Sequence, residues 1–415
     1  MLYTKSLKEL EKAKEAIVGG VKRMNRLDLP EYYPTYFTHA KDCYVWDIDG
    51  RRYIDYISAK GAIILGYSHD VVNQEVIKQI VQSNIMPLNS PIQNQLAAAV
   101  KDFIPCAQRV RFLRTGSCAT SALIRLARTY KKRDIILTSG YHGWHDNFMV
   151  GRNGVVKTIG DTIINFNSDI SLLEKLIKCN KEKIAAIFIT PEPCFFDQQF
   201  YKSCYELSKE NDILFLLDEI KTGFRYDIHG YQNSLEFIPD GATFSKAISN
   251  GFPISVVTGT EELMAAEENT HISGTFDTEV SSMAAAVATL EFMKKERIHE
   301  HIKKNGKMLI QGLNNVFASL EFPAKCMEND PTSFHIIFED DTLAREFYRK
   351  CAENGLLFYC FSNVNVTYAH TKDIVEETIA ICKNVIMQLQ YNRTSIENYH
   401  VTQYMEKRSI KRLSL

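Results

Sequence analysis

At 415 residues, the chain is too long for one ordinary hydrophobic core and comfortable for two. Hydrophobic residues make up 45% and charged residues 24%, an ordinary globular balance. Lysine and arginine number 49 against 50 acidic residues, a formal net charge of −1. No global field therefore draws the protein to nucleic acid or to an anionic membrane.

Residues Met1 to Glu15 are rich in Lys and Glu and lack an apolar signal core. The longest apolar runs, Ile184–Ile189 and Ile213–Leu217, are too short to span a bilayer. Ten cysteines are scattered with no Cys-x-x-Cys pair, so free, mostly buried thiols in a reducing compartment are expected. Together these features predict a soluble, cytoplasmic protein.

Residues 5–25 read as a helix with Leu7, Leu10 and Ile17 on one side. From Cys43 to Tyr56, alternating apolar residues flank Asp49-Gly50, a hairpin signal. Strands then alternate with helices from about Ala62 to Met293. The strand candidates are Val110–Leu113, Ile135–Thr138, Ile163–Phe166, Ile184–Thr190, Ile213–Asp218, Ala242–Ser245 and Ile254–Thr258. Ser117–Tyr130, Leu172–Cys179 and Phe200–Glu210 read as intervening helices. Such alternation implies βαβ units, and so a mostly parallel sheet flanked by helices. A long helical region follows near 281–318, with short strands and helices to about 390. The predicted organisation is an N-terminal segment 1–61 joining a smaller α/β domain at 296–390, a large domain at 62–295, and a polar tail at 391–415. The tail's basic cluster reads as a solvated face.

The chemistry-bearing residues fall at the ends of strands. Ile213–Leu217 runs into Asp218-Glu219, and ligands of open parallel sheets sit beyond the carboxyl ends of the strands. A carboxylate at the floor of such a crevice is costly without a cationic partner. Lys246 follows the next strand and precedes a Gly251-Phe-Pro253 turn. A lysine amine forms an imine with an aldehyde when deprotonated, which burial among cations favours. The interval between Asp218 and Lys246 suits one connection and one strand, so both can face one crevice. A strand ending in Thr115-Gly116-Ser117 leads into a long helix. Gly116 permits close approach of a phosphate, and Ser117 can cap the helix and donate its hydroxyl. Tyr141-His142-Gly143 follows another strand and offers an aromatic ring to stack on a planar group. His142, His145 and Asp146 are metal-type donors, but no third ligand cluster accompanies them and no metal is expected.

In order along the chain, these motifs resemble the class III aminotransferases, most of all the glutamate-1-semialdehyde aminomutase subgroup. Val45–Tyr56, Gly61–Gly66, Val110–Ala119, Tyr141-His142-Gly143, Glu192-Pro193 and Asp218–Arg225 carry the resemblance, continued by Gly274-Thr275, Ser282–Ala286 and Tyr368–Thr371. The resemblance implies a pyridoxal-5′-phosphate (PLP) enzyme of fold type I in which Lys246 holds the cofactor as a Schiff base and shuttles the substrate proton. It also implies that Asp218 pairs with the pyridine nitrogen. Ile220 and Tyr141 would flank the ring, with His142 in the same motif, and Gly116 and Ser117 would hold the phosphate. Glu192 would lie at the cofactor edge. Thr275 would reach the phosphate of the neighbouring subunit of a homodimer.

The departures lie elsewhere. Gly19-Gly20-Val21 leads into Lys22-Arg23-Met24-Asn25 rather than Ser-Pro-Val-Arg. Lys60 stands for an expected Trp, Cys118 for an acid, Ser362 for a Glu, and Asp277-Thr278-Glu279 for Gly-Asn. Altered substrate positions beside intact cofactor positions favour a transaminase over an aminomutase, with an amino-acid donor such as L-glutamate and a keto or aldehyde acceptor, narrowed to a sugar as a guess. Intramolecular 2,1-amino transfer, PLP-dependent decarboxylation and a non-catalytic PLP-binding regulator are the alternatives. A dinucleotide binder is disfavoured, because no Gly-x-Gly-x-x-Gly turn follows a first strand.

Overall fold

A computed structural model describes residues 3–18 and 33–389. The Gly19–Asn25 segment, with the C-terminal part of the helix read over 5–25, and the tail 391–415 lie outside the described residues. The strands in chain order are β1 (Phe37–Lys41), β2 (Tyr44–Asp47), β3 (Arg52–Asp55), β4 (Arg109–Leu113), β5 (Ile135–Ser139), β6 (Ile163–Asn165), β7 (Ile184–Ile189), β8 (Leu214–Asp218), β9 (Gly241–Phe244), β10 (Ser255–Gly259), β11 (Ala324–Cys326), β12 (Ser333–Phe338), β13 (Leu356–Leu357) and β14 (Asn363–Asn365). The helices used below are α1 (Thr4–Ala16), α2 (Ser58–Gly61), α3 (Asp70–Gln82), α4 (Pro91–Phe103), α5 (Gly116–Lys131), α6 (Ile170–Asn180), α7 (Gln198–Glu210), α8 (Glu261–Ala265), α9 (Ser281–Glu296) and α10 (Ile298–Ser319). The described residues divide into two compact units, Asp70–Glu296 and the paired segments that lie before Asp70 and after Glu296.

The unit Asp70–Glu296 is built on a seven-stranded sheet of order β4-β10-β9-β8-β7-β5-β6. β9, β8, β7, β5 and β6 run parallel, while β10 is antiparallel to both β9 and β4. This is the mostly parallel sheet that the alternation of strands and helices predicts. Every residue of β7 and β8 is buried, as an unbroken apolar run requires when helices cover both faces. On one face Ala119, Leu123, Leu126 and Ala127 of α5 join Ile136, Phe188, Leu216 and Val257 of the sheet in one apolar cluster.

The strand directions place the chemistry. β5, β7, β8 and β9 point the same way, and two antiparallel steps through β10 give β4 that direction too. The segments after all five strands therefore emerge at one edge of the sheet: Gly140–His142, Thr190–Glu192, Ile220-Lys221, Ser245-Lys246 and Arg114–Ser117.

In the other unit, β1, β2, β3 and β13 form one sheet and β11, β12 and β14 another. The β2–β3 hairpin turns at Gly50, whose φ of 92° is easy only for glycine. Asp49 of that turn accepts the N–H groups of Lys5 (2.8 Å) and Ser6 (3.1 Å) at the start of α1.

Three expectations shift. The first helix ends at Ala16. The helical region near 281–318 is two helices, broken at Arg297 with φ 48°. Residues 62–69 pack with the smaller unit, where Tyr67 and Asp42 exchange backbone hydrogen bonds and Tyr368 N–H donates to Ile64 O at 2.8 Å. All ten cysteines are free. No helix among the described residues is long and apolar enough to cross a membrane.

Candidate active site

Asp218 ends β8 with 2% of its surface exposed. Its carboxylate accepts from His142 Nδ1 (2.9 Å), the Ile220 N–H (3.2 Å) and Thr243 Oγ1 (3.3 Å). Because a carboxylate only accepts, the His142 proton sits on Nδ1. His142 Nε2 is buried without a hydrogen-bond partner among the described residues, and its ring stacks on Phe188 at 4.4 Å. Thr120 Oγ1 donates to His142 O at 2.7 Å, joining α5 to this pair. The adjacent Glu219 does different work. It is fully buried and accepts from Tyr231 N, Gln232 N, Gln232 Nε2 and Thr222 Oγ1. That carboxylate ties down the loop after β8 rather than facing the strand-end crevice.

Lys246 opens a single 3-10 turn after β9, with the left-handed φ of 51°. A non-glycine residue held there costs on the order of 1 kcal/mol or more, and such residues cluster at functional sites. Ser245 Oγ, donating to Ile254 O at 2.7 Å, anchors the strained turn. Lys246 is half-buried, and its Nζ makes no hydrogen bond or ion pair among the described residues. Burial first, then the nearby Lys221 ammonium, lowers the amine to about 8, against the opposing pull of Asp218. Nucleophilic amine is thus available near neutral pH.

At the end of β4, Thr115 Oγ1 caps α5 by accepting the Cys118 N–H at 3.2 Å. The cap is therefore Thr115, not Ser117, the residue read for this role in the sequence. Gly116 and Ser117 occupy the first two helical positions, whose N–H groups have no acceptor within a helix. A Cβ on Gly116 would stand 2.7 Å from Ile220 Cδ1, and one on Gly143, at φ 105°, would stand 2.4 Å from Ser117 Oγ. Three segments from separate strand ends thus meet here only because two of the residues are glycine. Trp144 N–H donates to Ser117 Oγ at 3.3 Å. Tyr141 is half exposed, and Thr190 Oγ1 donates to its carbonyl at 3.0 Å.

Glu192 is buried and paired with Lys221. Thr275 is exposed, in the loop between Asn269 and α9. The structure therefore brings together Asp218, His142, Gly116, Ser117 and Ile220 through direct contacts, and Lys246, Glu192 and Tyr141 at the same sheet edge. His145 turns away to Ser121 Oγ at 3.0 Å. No group of His, Cys, Asp or Glu among the described residues is arranged to hold a metal ion. Lys221, Thr243, Thr190 and Gly143 went unassigned in the sequence. Lys221 and Gly143 lie inside the quoted motifs, but only tertiary packing gives them partners.

The donor set fits PLP: an unpartnered amine of lowered pKa, a buried acid at a neighbouring strand end, and free N–H groups at a helix N-terminus. Such a sheet edge defines a PLP-dependent enzyme of fold type I. The chain belongs to the aminotransferase class-III family, whose profile matches residues 30–389. It is 30% identical to the 3-aminobutyryl-CoA aminotransferase of Cloacimonas acidaminovorans, over 92% of this chain and 98% of that protein. It is also 30% identical to the glutamate-1-semialdehyde 2,1-aminomutase of Methanocaldococcus jannaschii, over 93% and 99%. The solved structure of the PLP internal aldimine form of the FumI protein of Sphingopyxis sp. MTA144 matches with a TM-score of 0.87 at 26% identity, over 92% and 96% of the two chains. The protein is thus a PLP-dependent class-III aminotransferase or aminomutase.

Proposed function

We propose that the enzyme is a transaminase that moves an amino group from an amino-acid donor, L-glutamate, to a keto or aldehyde acceptor. The observation that carries this reading is the meeting of Asp218, His142, Ile220 and the Thr115–Ser117 loop beside Lys246, while positions outside that cluster depart from the aminomutase pattern. Relatives of equal identity include both a transaminase and an aminomutase, so overall similarity does not choose between them. Asp277 and Glu279, which replace the aminomutase Gly-Asn, are engaged in ion pairs with Arg111 and Arg114. Lys60 is exposed with its ammonium 5.6 Å from the centre of the Tyr359 ring, and carries no argument for a sugar acceptor.

PLP supplies a protonated pyridine ring that takes up the electron pair left when a substrate Cα–H bond breaks. In this reading Asp218 keeps the proton on the ring nitrogen, and His142, donating Nδ1–H, fixes the carboxylate. Gly116 and Ser117 bind the phosphate with backbone N–H groups and the Ser117 hydroxyl. Ile220 and Tyr141 pack against the ring, and Glu192 orients Lys221 at its edge. Lys246 anchors the cofactor and then, as a free amine, takes the α-proton and returns it. Positioned acid–base transfer of this kind contributes roughly 10²–10⁴-fold.

The active unit in this reading is a homodimer, with Thr275 reaching the phosphate of the neighbouring subunit. Exposed apolar residues support it: Ile77, Ile80 and Val81 of α3, then Leu88 and Phe276. They belong to segments joined through Met86 N–H donating to Thr278 O at 3.2 Å. Free thiols throughout accord with a cytoplasmic setting.

A half-reaction tests the assignment. L-glutamate added to the holoenzyme without acceptor should bleach its visible absorption band and release one 2-oxoglutarate per subunit, measured with a coupled dehydrogenase. A bleached or unchanged band without 2-oxoglutarate contradicts transamination from glutamate, and carbon dioxide release points to decarboxylation.

A further inference from the structure

The loop that carries Thr275 is held by arginines on and beside the elements that carry the phosphate loop. Arg114 lies immediately before Thr115. Its Nη1 is 2.6 Å from Glu279 Oε2, and its Nη2 donates to Asp277 O at 3.3 Å. The two paired side chains are only 14% and 15% exposed, so the pair is shielded from the solvent screening that weakens surface ion pairs. Arg111 of β4 donates to Asp277 Oδ2 at 2.9 Å and Ile272 O at 3.4 Å. Arg125 of α5 donates to His271 O at 2.7 Å. Glu279 also accepts the N–H groups of Ser281 (2.7 Å) and Ser282 (3.2 Å), which caps α9. One carboxylate thus ties the phosphate-loop strand, the Thr275 loop and a helix start together. Thr275 is exposed in the middle of this fastened loop, with no hydrogen bond of its own among the described residues.

We propose that Arg114 and Glu279 are a positioning pair that joins each subunit's own phosphate loop to the loop it lends to its partner. This rests on the reading that Thr275 reaches the phosphate of the neighbouring subunit. The pair pre-orders Thr275, so that cofactor binding does not bear the cost of ordering the loop. Neither residue touches the cofactor in this account.

Titration of apoenzyme with PLP, followed by absorbance, tests it in a double-mutant cycle. Arg114→Gln should raise the cofactor Kd roughly tenfold, the loss of one charge-assisted contact. Glu279→Gln, which keeps an oxygen to cap α9, should do the same, with the folded state retained by far-UV circular dichroism. Thr275→Ala should also weaken binding, and Arg114→Gln combined with Thr275→Ala should bind no more weakly than the weaker single variant. Wild-type Kd in both Arg114→Gln and Glu279→Gln, with Thr275→Ala impaired, overturns the pair but leaves the role of Thr275 standing. Wild-type Kd in Thr275→Ala removes the underlying reading and the proposal with it. Additive losses show that Arg114 acts by a route independent of Thr275, and overturn the pair alone.

Discussion

Lys246→Ala should abolish turnover while the protein still folds and still binds PLP non-covalently. Two losses combine. In the proposed reading the substitution removes the amine that anchors the cofactor and also the base for the α-proton, worth roughly 10²–10⁴-fold by itself. Cofactor binding should survive in part, because the proposed contacts of Asp218, Gly116 and Ser117 are untouched and the strained φ of 51° at position 246 is no harder for alanine than for lysine. Steady-state assays with glutamate and a carbonyl acceptor, alongside PLP titration, separate the two effects. Near wild-type activity contradicts the assignment. The pH dependence of cofactor attachment has a definite sign. The Lys246 amine is lowered to about 8, so the wild-type attachment rate is level above that pH. It falls tenfold per pH unit well below it, as the amine becomes the unreactive ammonium.

Asp218→Asn is the second large effect. The substitution keeps the shape and an oxygen for the His142 Nδ1 proton, now 2.9 Å away, but removes the charge that, in the proposed reading, holds a proton on the ring nitrogen. Loss of one such electrostatic stabiliser costs on the order of 10²–10³-fold in kcat. The far-UV circular dichroism should be unchanged, since the neighbouring acid Glu219 performs the loop-holding work through its own hydrogen bonds. A kcat within about threefold of wild type would be well short of that cost and would remove Asp218 from the reaction.

The sheet was legible because its strands are apolar runs, such as Ile184–Ile189, which helices must cover on both faces. The candidate site was legible to the extent that its residues sit at strand ends, where chain position alone puts Asp218, Lys246 and Thr115–Ser117 on one edge. The functions of the two acids in Asp218-Glu219 were not legible, because only the fold turns one toward His142 and the other toward Tyr231 and Gln232. Nor was the cap at Thr115, since Ser117 satisfies the same composition rule two residues later. The arginines at 111, 114 and 125 gave no signal either. Their partners lie 146 to 166 positions away, beyond any local pattern. The break at Arg297 likewise falls in an unbroken helical periodicity and depends on a single left-handed residue.

The account stands or falls on one amine. Borohydride reduction of the holoenzyme, followed by proteolysis and peptide mass spectrometry, should fix the pyridoxyl group on the peptide that contains Lys246 and on no other. A label on Lys221 instead, or no stable label on any lysine after reduction of PLP-saturated protein, contradicts it.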